Sequence, residues 1–168
     1  SRSRHVRFVR TVDTMTDSGR ATKTNNARKR SDGRMTSRSW SVSMRAASRM
    51  NSAEISRVRR LLHKDPDRFR ARCFTDHEWG YAHRFKDPSQ RLAARFAGKE
   101  AVMKSLGVGW RHVPWRDIEI TGGGAPRVRL SGKAAGRAES IGVAKVLVTI
   151  THTNDQALVM ALSLGEGT

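Results

Sequence analysis

The stretch Arg91-Leu92-Ala93-Ala94-Arg95-Phe96-Ala97-Gly98-Lys99-Glu100-Ala101-Val102-Met103-Lys104 is the most informative part of this 168-residue chain. Asp87-Pro88-Ser89 precedes it as a helix start, and Gly107 follows where a left-handed C-terminal cap is wanted. We therefore predict one long helix from this start to Leu106. The rest of the fold is expected to pack against it.

Glu100 is the candidate chemical residue on this helix. At about 100° per residue it projects between Phe96 and Lys104, in a sector of small and apolar residues. A buried carboxylate is costly unless it is paired or bound to a metal. Lys104 lies four residues on and can meet it, so a surface salt bridge worth a few tenths of a kcal/mol is the competing interpretation.

The pattern around this helix mixes helices and strands without regular β-α-β alternation, which predicts an α+β fold with a small antiparallel sheet on one long helix. Thr75-Asp76-His77-Glu78 is a capping box that opens a short helix. Further segments have helical or strand periodicity. The predicted helices are 53–63 and 131–141, with Ser131 as cap and Gly142 as stop, and the predicted strands are 117–120, 127–130, 146–152 and 157–164.

Two further motifs could carry chemistry. His152 ends a strand whose alternate residues form an apolar face, so it emerges at the rim of the core. The run Gly122–Gly124 before Pro126 could bring backbone N–H groups close to a phosphate. Taken alone, each has a plainer interpretation: a structural hydrogen-bonding histidine and an ordinary β-turn.

Composition sets the cellular context. The net charge of +18 and the pI near 11.6 attract polyanions, whether nucleic acid, anionic membrane or an acidic protein. Neither an apolar run of membrane-spanning length nor a secretory signal is visible. The single cysteine, Cys73, cannot form an internal disulfide and lacks partners at zinc-site spacing. We expect a cytoplasmic protein.

Residues 1–50 differ from the remainder. They hold 13 Lys or Arg against three acids and keep neither helical nor strand periodicity, so we predict a disordered or non-native basic leader. Three interpretations of this leader remain open: a solvated tail, a nucleic-acid-binding arm, and residues translated from a wrong reading frame or start. The folded domain is expected at 51–168, after a linker near 45–52.

Taken in order, four blocks resemble holo-[acyl carrier protein] synthase, the small bacterial 4′-phosphopantetheinyl transferase family. The first is the long helix itself, in particular 95–101 with Lys104. The others are a strand–turn–strand, a late histidine strand and a first helical region. These are 117–120 with 123–126, then 148–153, and finally 54–57 with Arg68, Phe69 and 74–75.

The resemblance implies that the phosphopantetheine arm of coenzyme A is transferred to a serine of an acidic apo acyl carrier protein in fatty acid biosynthesis. The reaction would use Mg²⁺ and release adenosine 3′,5′-bisphosphate. It also implies a homotrimer with sites between subunits. Glu100 falls on the magnesium ligand and Lys104 on the diphosphate contact, both catalytic. The coenzyme A positions are Phe96, Gly124, Pro126, His152 and Thr153, and the carrier-protein positions are Arg57, Arg68 and Arg72.

The resemblance fails at one point. The family opens with an apolar strand ending in a second magnesium-binding aspartate, and that position falls on Asn51. The preceding residues 44–50 do not read as a buried strand, so we expect the sheet to lack its first member. Asn51 offers a neutral oxygen but not the charge that hard cations favour. The alternative functions are therefore a catalytically impaired coenzyme A-binding relative and a basic nucleic-acid-binding protein.

Overall fold

The computed structural model describes residues 46–122 and 124–165, and its helices and strands confirm the predicted α+β class. The strands are β1 (Ala46–Glu54), β2 (Ile118–Thr121), β3 (Arg127–Leu130), β4 (Val143–His152) and β5 (Gln156–Gly165). The helices are α1 (Ile55–Lys64), α2 (Pro66–Cys73), α3 (Asp76–Ala82), α4 (Ser89–Ser105) and α5 (Gly132–Ser140), with a 3₁₀ turn at Trp115–Asp117. The interpretations of the basic leader concern residues that, up to position 45, lie outside the described part.

Strand β1 corrects the prediction of a linker near 45–52 and of a sheet without its first strand. It pairs antiparallel with β5 along its whole length, from Ala46 opposite Leu164 to Glu54 opposite Gln156. Its side chains are mostly exposed, so the apolar signature of a buried strand is missing. Backbone hydrogen bonds to β5 therefore hold this segment as a strand, although its side chains do not have a strand-like pattern.

The long helix α4 packs under a three-stranded sheet with the order β1-β5-β4. Small residues line this contact: Ala93, Ala97 and Ala101 are fully buried. A Cβ at Gly98 would collide with the side chain of Ile120 in β2. The small residues of α4 thus serve close packing inside the chain.

The ends of the helices follow local signals in most cases. α4 begins at Ser89, and Gly107 follows it with a φ of 68°. The capping box of Thr75 and Glu78 is confirmed at α3. At α5, however, the side chain of Ser131 makes no capping bond. The carboxylate of Asp117 takes that role instead and accepts from the backbone N–H of Lys133 at 2.7 Å.

Helix α2 has no counterpart among the predicted elements. Pro66 occupies its first turn, and the side chain of Asp65 accepts from the backbone N–H of Arg68 at 3.0 Å. These are ordinary helix-start features. The eight residues are too short and too polar to show a clear apolar period, and only Phe69 and Cys73 are buried.

Within 46–122 and 124–165, none of the helices combines the length and the hydrophobicity that crossing a bilayer requires.

Candidate active site

The alternation of β1 places Asn51 against α4. Asn51 lies opposite Val159 of β5, which is fully buried on the face that packs on α4. Its neighbour Met50 points to the other face and is 62% exposed. Successive strand residues point to opposite faces of a sheet. Strand β1, which we expected to be absent, is therefore what brings Asn51 to the helix.

Asn51, Glu100 and Lys104 form a closed polar triad. The Nδ2 of Asn51 donates to Oε2 of Glu100 at 2.8 Å. The Nζ of Lys104 donates to Oδ1 of Asn51 at 2.9 Å and lies 3.3 Å from Oε1 of Glu100. The chain thus brings together the two predicted metal ligands and the predicted diphosphate contact.

The expectation that Glu100 is buried is wrong. Its side chain is 36% exposed and that of Lys104 is 44% exposed. The positions 96, 100 and 104 form the most accessible line along α4, while the alanines beside them are covered by the sheet. The competing interpretation, an i,i+4 salt bridge at the surface, is therefore correct in its geometry. The addition of Asn51 distinguishes it from an ordinary surface pair.

His152 and Thr153 lie at the other end of α4. The amide Nε2 of Gln90 is 3.0 Å from Nδ1 of His152 and donates to the carbonyl of Thr153 at 3.3 Å. Partial burial and the nearby Arg91 lower the pKa of His152 below its ordinary value of 6.5, which favours the neutral ring at pH 7. The hydroxyl of Thr153 accepts from the backbone of Asp155 and Gln156 and shapes the β4–β5 turn.

A single chain does not unite these two groups. Gln90, which holds His152, precedes Glu100 by ten positions on one continuous helix. At 1.5 Å per residue, the helix separates them by about 15 Å along its axis. The triad and the histidine therefore lie near opposite ends of α4.

The remaining predicted coenzyme A positions are Phe96 on α4 and Gly124 and Pro126 in the β2–β3 turn, which Arg95 joins to α4. This arginine is 5% exposed and donates through its Nη2 to the carbonyl of Gly122 at 3.3 Å, tying the β2–β3 turn to α4. Burial lowers the pKa of its guanidinium. Beyond Gly122, Gly124 is exposed and Pro126 is buried. Phe96, which is half-buried, stacks on Trp115 with ring centroids 4.5 Å apart.

The three predicted carrier-binding arginines, Arg57, Arg68 and Arg72, are all exposed. Arg68 and Arg72 line an open groove of about 270 Å³ between α1 and α2. Apolar side chains form its floor and charged ones its rim. The lining residues are Leu61, Lys64, Asp65, Arg68, Phe69 and Arg72.

A buried ion pair between Lys99 and Glu78 escaped the sequence reasoning. The Nζ of Lys99 lies 2.6 Å from Oε2 of Glu78, and both side chains are fully buried. Lys99 also donates to the carbonyls of Cys73 and Trp115, and Glu78 accepts from the backbone of Ile120. The capping box was a usable signal for part of this cluster, because it fixes the position of Glu78 in the first turn of α3.

Burial dominates the protonation of groups in this cluster. It lowers the pKa of Lys99, an effect that Glu78 opposes. It also raises the pKa of the Cys73 thiol to about 11, so the thiol is neutral at pH 7. Cys73 therefore lacks the thiolate character of a nucleophile.

Comparison with known proteins identifies the family. A holo-[acyl-carrier-protein] synthase of Moorella thermoacetica is 45% identical over 111 residues, which span 65% of this chain and 86% of that protein. The crystal structure of the Neisseria meningitidis holo-[acyl-carrier-protein] synthase superposes with a TM-score of 0.64 at 27% identity, covering 70% of this chain and 96% of that one.

A second solved structure adds a bound ligand. The Bacillus anthracis holo-(acyl-carrier-protein) synthase, crystallised in complex with CoA (3′,5′-ADP), has a TM-score of 0.59 at 25% identity and covers 71% of this chain and 96% of its own. The family model of the 4′-phosphopantetheinyl transferase superfamily matches residues 52–161. The resemblance drawn from the four blocks is thus confirmed, and the chain belongs to the 4′-phosphopantetheinyl transferase superfamily, in which its relatives are holo-[acyl-carrier-protein] synthases.

Proposed function

We propose that this enzyme transfers 4′-phosphopantetheine from coenzyme A to a serine of an acidic apo acyl carrier protein, as part of fatty acid biosynthesis in the cytoplasm. The serine oxygen forms the new bond to the phosphorus that carries pantetheine. The bond from that phosphorus to the bridging oxygen breaks, and adenosine 3′,5′-bisphosphate leaves. The hydroxyl proton passes to a base. The observation that carries the proposal is the triad of Asn51, Glu100 and Lys104.

Lys104 and Glu100 have opposite tasks in this proposal. The ammonium of Lys104, 44% exposed, binds the diphosphate and offsets the negative charge on the leaving group. The carboxylate of Glu100 orients the acceptor of the serine proton. Because phosphoryl-type transfer depends chiefly on positioning and charge neutralisation, two side chains already held by Asn51 suit it.

The triad fits Mg²⁺ only as part of a shared site. Within residues 46–122 and 124–165, no three His, Cys, Asp or Glu side chains group as a metal cluster. Magnesium, however, is commonly held by one or two carboxylates together with substrate phosphates and water. Glu100 would supply the carboxylate and Asn51 a neutral oxygen, its Oδ1, which accepts from Lys104 in this structure. When bound, the ion would neutralise diphosphate charge.

A homotrimer with sites between subunits would explain why the triad and His152 lie far apart within one chain. Glu100 and Lys104 of one chain would then meet His152, Thr153, Gly124 and Pro126 of the next. Support comes from the outer face of the sheet, where large apolar side chains are exposed. These are Met50 at 62%, Leu158 at 38% and Met160 at 45%. Met50 and Met160 pair directly across β1 and β5, so they form one patch.

The carrier protein would dock at the groove between α1 and α2. Arg68 and Arg72 at its rim, with Arg57 on α1, present positive charge to an acidic partner. The transferase domain is proposed to extend from Ala46, where β1 begins, to the C-terminus. The alternative of a nucleic-acid-binding protein rests on net charge alone, most of which lies in the leader at 1–50.

The decisive experiment incubates the full chain with apo carrier protein, coenzyme A and Mg²⁺. We expect a mass gain on the carrier equal to one phosphopantetheine group, and an unchanged mass when the carrier's acceptor serine is replaced by alanine. An unmodified carrier under these conditions would overturn the transferase proposal. A salt-sensitive gel shift with nucleic acid and no carrier modification would support the nucleic-acid alternative.

A further inference from the structure

An exposed tryptophan between two arginines follows the C-terminal end of α4. Trp110 is 50% exposed in the loop after α4. The guanidinium carbon of Arg72 lies 5.4 Å from its ring centroid, and that of Arg111 lies 5.3 Å from it. We call Arg72, Trp110 and Arg111 the tryptophan platform. Exposing so much indole to water is unfavourable, because it forgoes the burial of a large apolar ring.

The tryptophan platform is continuous with the groove between α1 and α2. Arg72 belongs to both, since it lines the groove and also lies over Trp110. The groove itself has an apolar floor that includes Leu61 and Phe69. Together they make one surface with apolar contacts at two places and cations between and around them.

Charge on this surface is almost entirely positive. Its cations are Lys64, Arg68, Arg72 and Arg111. The one carboxylate among the groove residues, Asp65, is engaged by the backbone N–H of Arg68 at the start of α2. Within the described part of the chain, none of Arg68, Arg72 and Arg111 forms an ion pair. The cations are therefore available to carboxylates of a partner.

We propose that the tryptophan platform is a specificity-determining contact for the acidic carrier protein, in which Trp110 and Arg111 extend the docking surface beyond the three arginines of α1 and α2. Stacking on the indole restricts Arg72 and Arg111, and their N–H edges remain free to bind carboxylates. The exposed part of the ring is covered by an apolar side chain of the carrier. Tryptophan and arginine dominate the energetics of protein interfaces for these reasons. The proposal rests on the transferase function.

The test compares Trp110→Ala with the wild type in steady-state transfer and in calorimetric titration with apo carrier protein alone. Losing a central aromatic contact commonly costs about 1–2 kcal/mol, so we expect KM and Kd for the carrier to rise about 5- to 30-fold. KM for coenzyme A and kcat at saturating carrier should not change. Trp110→Phe should retain part of the affinity, because it keeps an apolar ring.

Charge controls separate a local contact from general attraction. Arg111→Ala should weaken carrier binding more than Lys133→Ala, which removes an equal charge from exposed α5. Equal effects of the two changes would overturn the proposal. So would an unchanged carrier Kd in a folded Trp110→Ala protein, or a rise in KM for coenzyme A alone, which would indicate stacking on the nucleotide. Failure of the transferase function itself would appear earlier, as a wild type that leaves the carrier unmodified.

Discussion

Helix α4 contributes the lysines of two lysine–glutamate pairs that have the same charged groups but differ in burial and in their further partners. Lys99 meets Glu78 at 2.6 Å with both side chains fully buried, whereas Lys104 meets Glu100 at 3.3 Å with both about four-tenths exposed. The two lysines lie five positions apart on the same helix. The helix therefore presents one pair to the core and the other to solvent.

The buried pair has its hydrogen-bonding capacity filled by other groups of the protein, and the exposed pair does not. Lys99 has two carbonyl partners besides Glu78, and Glu78 is held by the backbone N–H groups of Thr75 and Ile120. These bonds join α2, α3, α4 and β2. Among the described residues, Asn51 is the one further partner that Glu100 and Lys104 share, and both side chains are partly exposed to solvent. A ligand can approach the second pair but not the first, which separates a structural pair from a chemical one.

Lys99→Met should have the largest effect. It leaves the carboxylate of Glu78 buried without its cation, and breaking such a pair costs about 3–5 kcal/mol. We expect a large fall in the unfolding free energy measured by urea denaturation. Lys104→Met is the matched control, with the same substitution on the same helix, and should change stability by less than about 1 kcal/mol. Similar losses in both variants would remove the distinction between the pairs.

Glu100→Gln should have the opposite pattern, with a large loss of activity and little loss of stability. The amide keeps the shape of the side chain but removes its charge, so we expect transfer to the carrier to slow by on the order of 10²–10³-fold. The urea midpoint should stay close to that of the wild type, because the side chain is partly exposed. Glu139→Gln, at an exposed position of α5, controls for the loss of one acid. Near-normal activity of Glu100→Gln would refute a catalytic role for the exposed pair.

Asn51→Asp sharpens the comparison further, because it changes what the exposed pair can hold. Two carboxylates would meet where the Asn51–Glu100 hydrogen bond is 2.8 Å long. Without a divalent ion we expect the melting temperature to fall, since like charges repel. With Mg²⁺ we expect it to rise, together with a gain in magnesium affinity of about 10-fold or more.

A matched control tests the geometry behind this expectation. Ser52→Asp adds the same charge one residue later, on the opposite face of β1, and should leave the magnesium response unchanged. If Mg²⁺ fails to shift the melting temperature of Asn51→Asp, or shifts both variants alike, Asn51 and Glu100 do not form a metal site.

The exposed triad shows what the sequence could and could not predict. The limits of α4 follow from local signals at Ser89 and Gly107, so they were predictable. Strand β1 was not, because its partner in β5 lies about a hundred residues away and the ladder between them uses backbone atoms. The pairing of Asn51 with Glu100 was nevertheless anticipated, through the family resemblance and not through the strand.

The burial of Glu100 was predicted wrongly, and the Lys99–Glu78 pair was missed, for a related reason. A helical wheel shows which residues flank Glu100, but the element that covers each sector comes from elsewhere in the chain. The sheet covers the alanines and leaves the line of Phe96, Glu100 and Lys104 accessible. Lys99 is fully buried because α3 brings Glu78 to it from 21 positions earlier. Nothing local to α4 predicts that contact.

The smallest effect concerns a third acid–base pair at the start of α4, between Asp87 and Arg59. Hydrogen bonds from the side chain of Ser89, then from Arg59 and the backbone of Ser89, lower the pKa of Asp87 from 3.8 to about 2. Since the folded-state pKa lies below the unfolded value, the stabilisation is fully present above about pH 4 and is lost as the pH falls towards 2.

Asp87→Asn should therefore lower the unfolding free energy at pH 6 by about 1 kcal/mol, a value discounted for a side chain that is about half exposed. The difference from the wild type should shrink as the pH falls and be small near pH 2, as measured by urea denaturation across that range. Arg59→Met should cost less, because the bonds from Ser89 are retained. A difference that persists unchanged at pH 2 would mean that the carboxylate's charge is irrelevant.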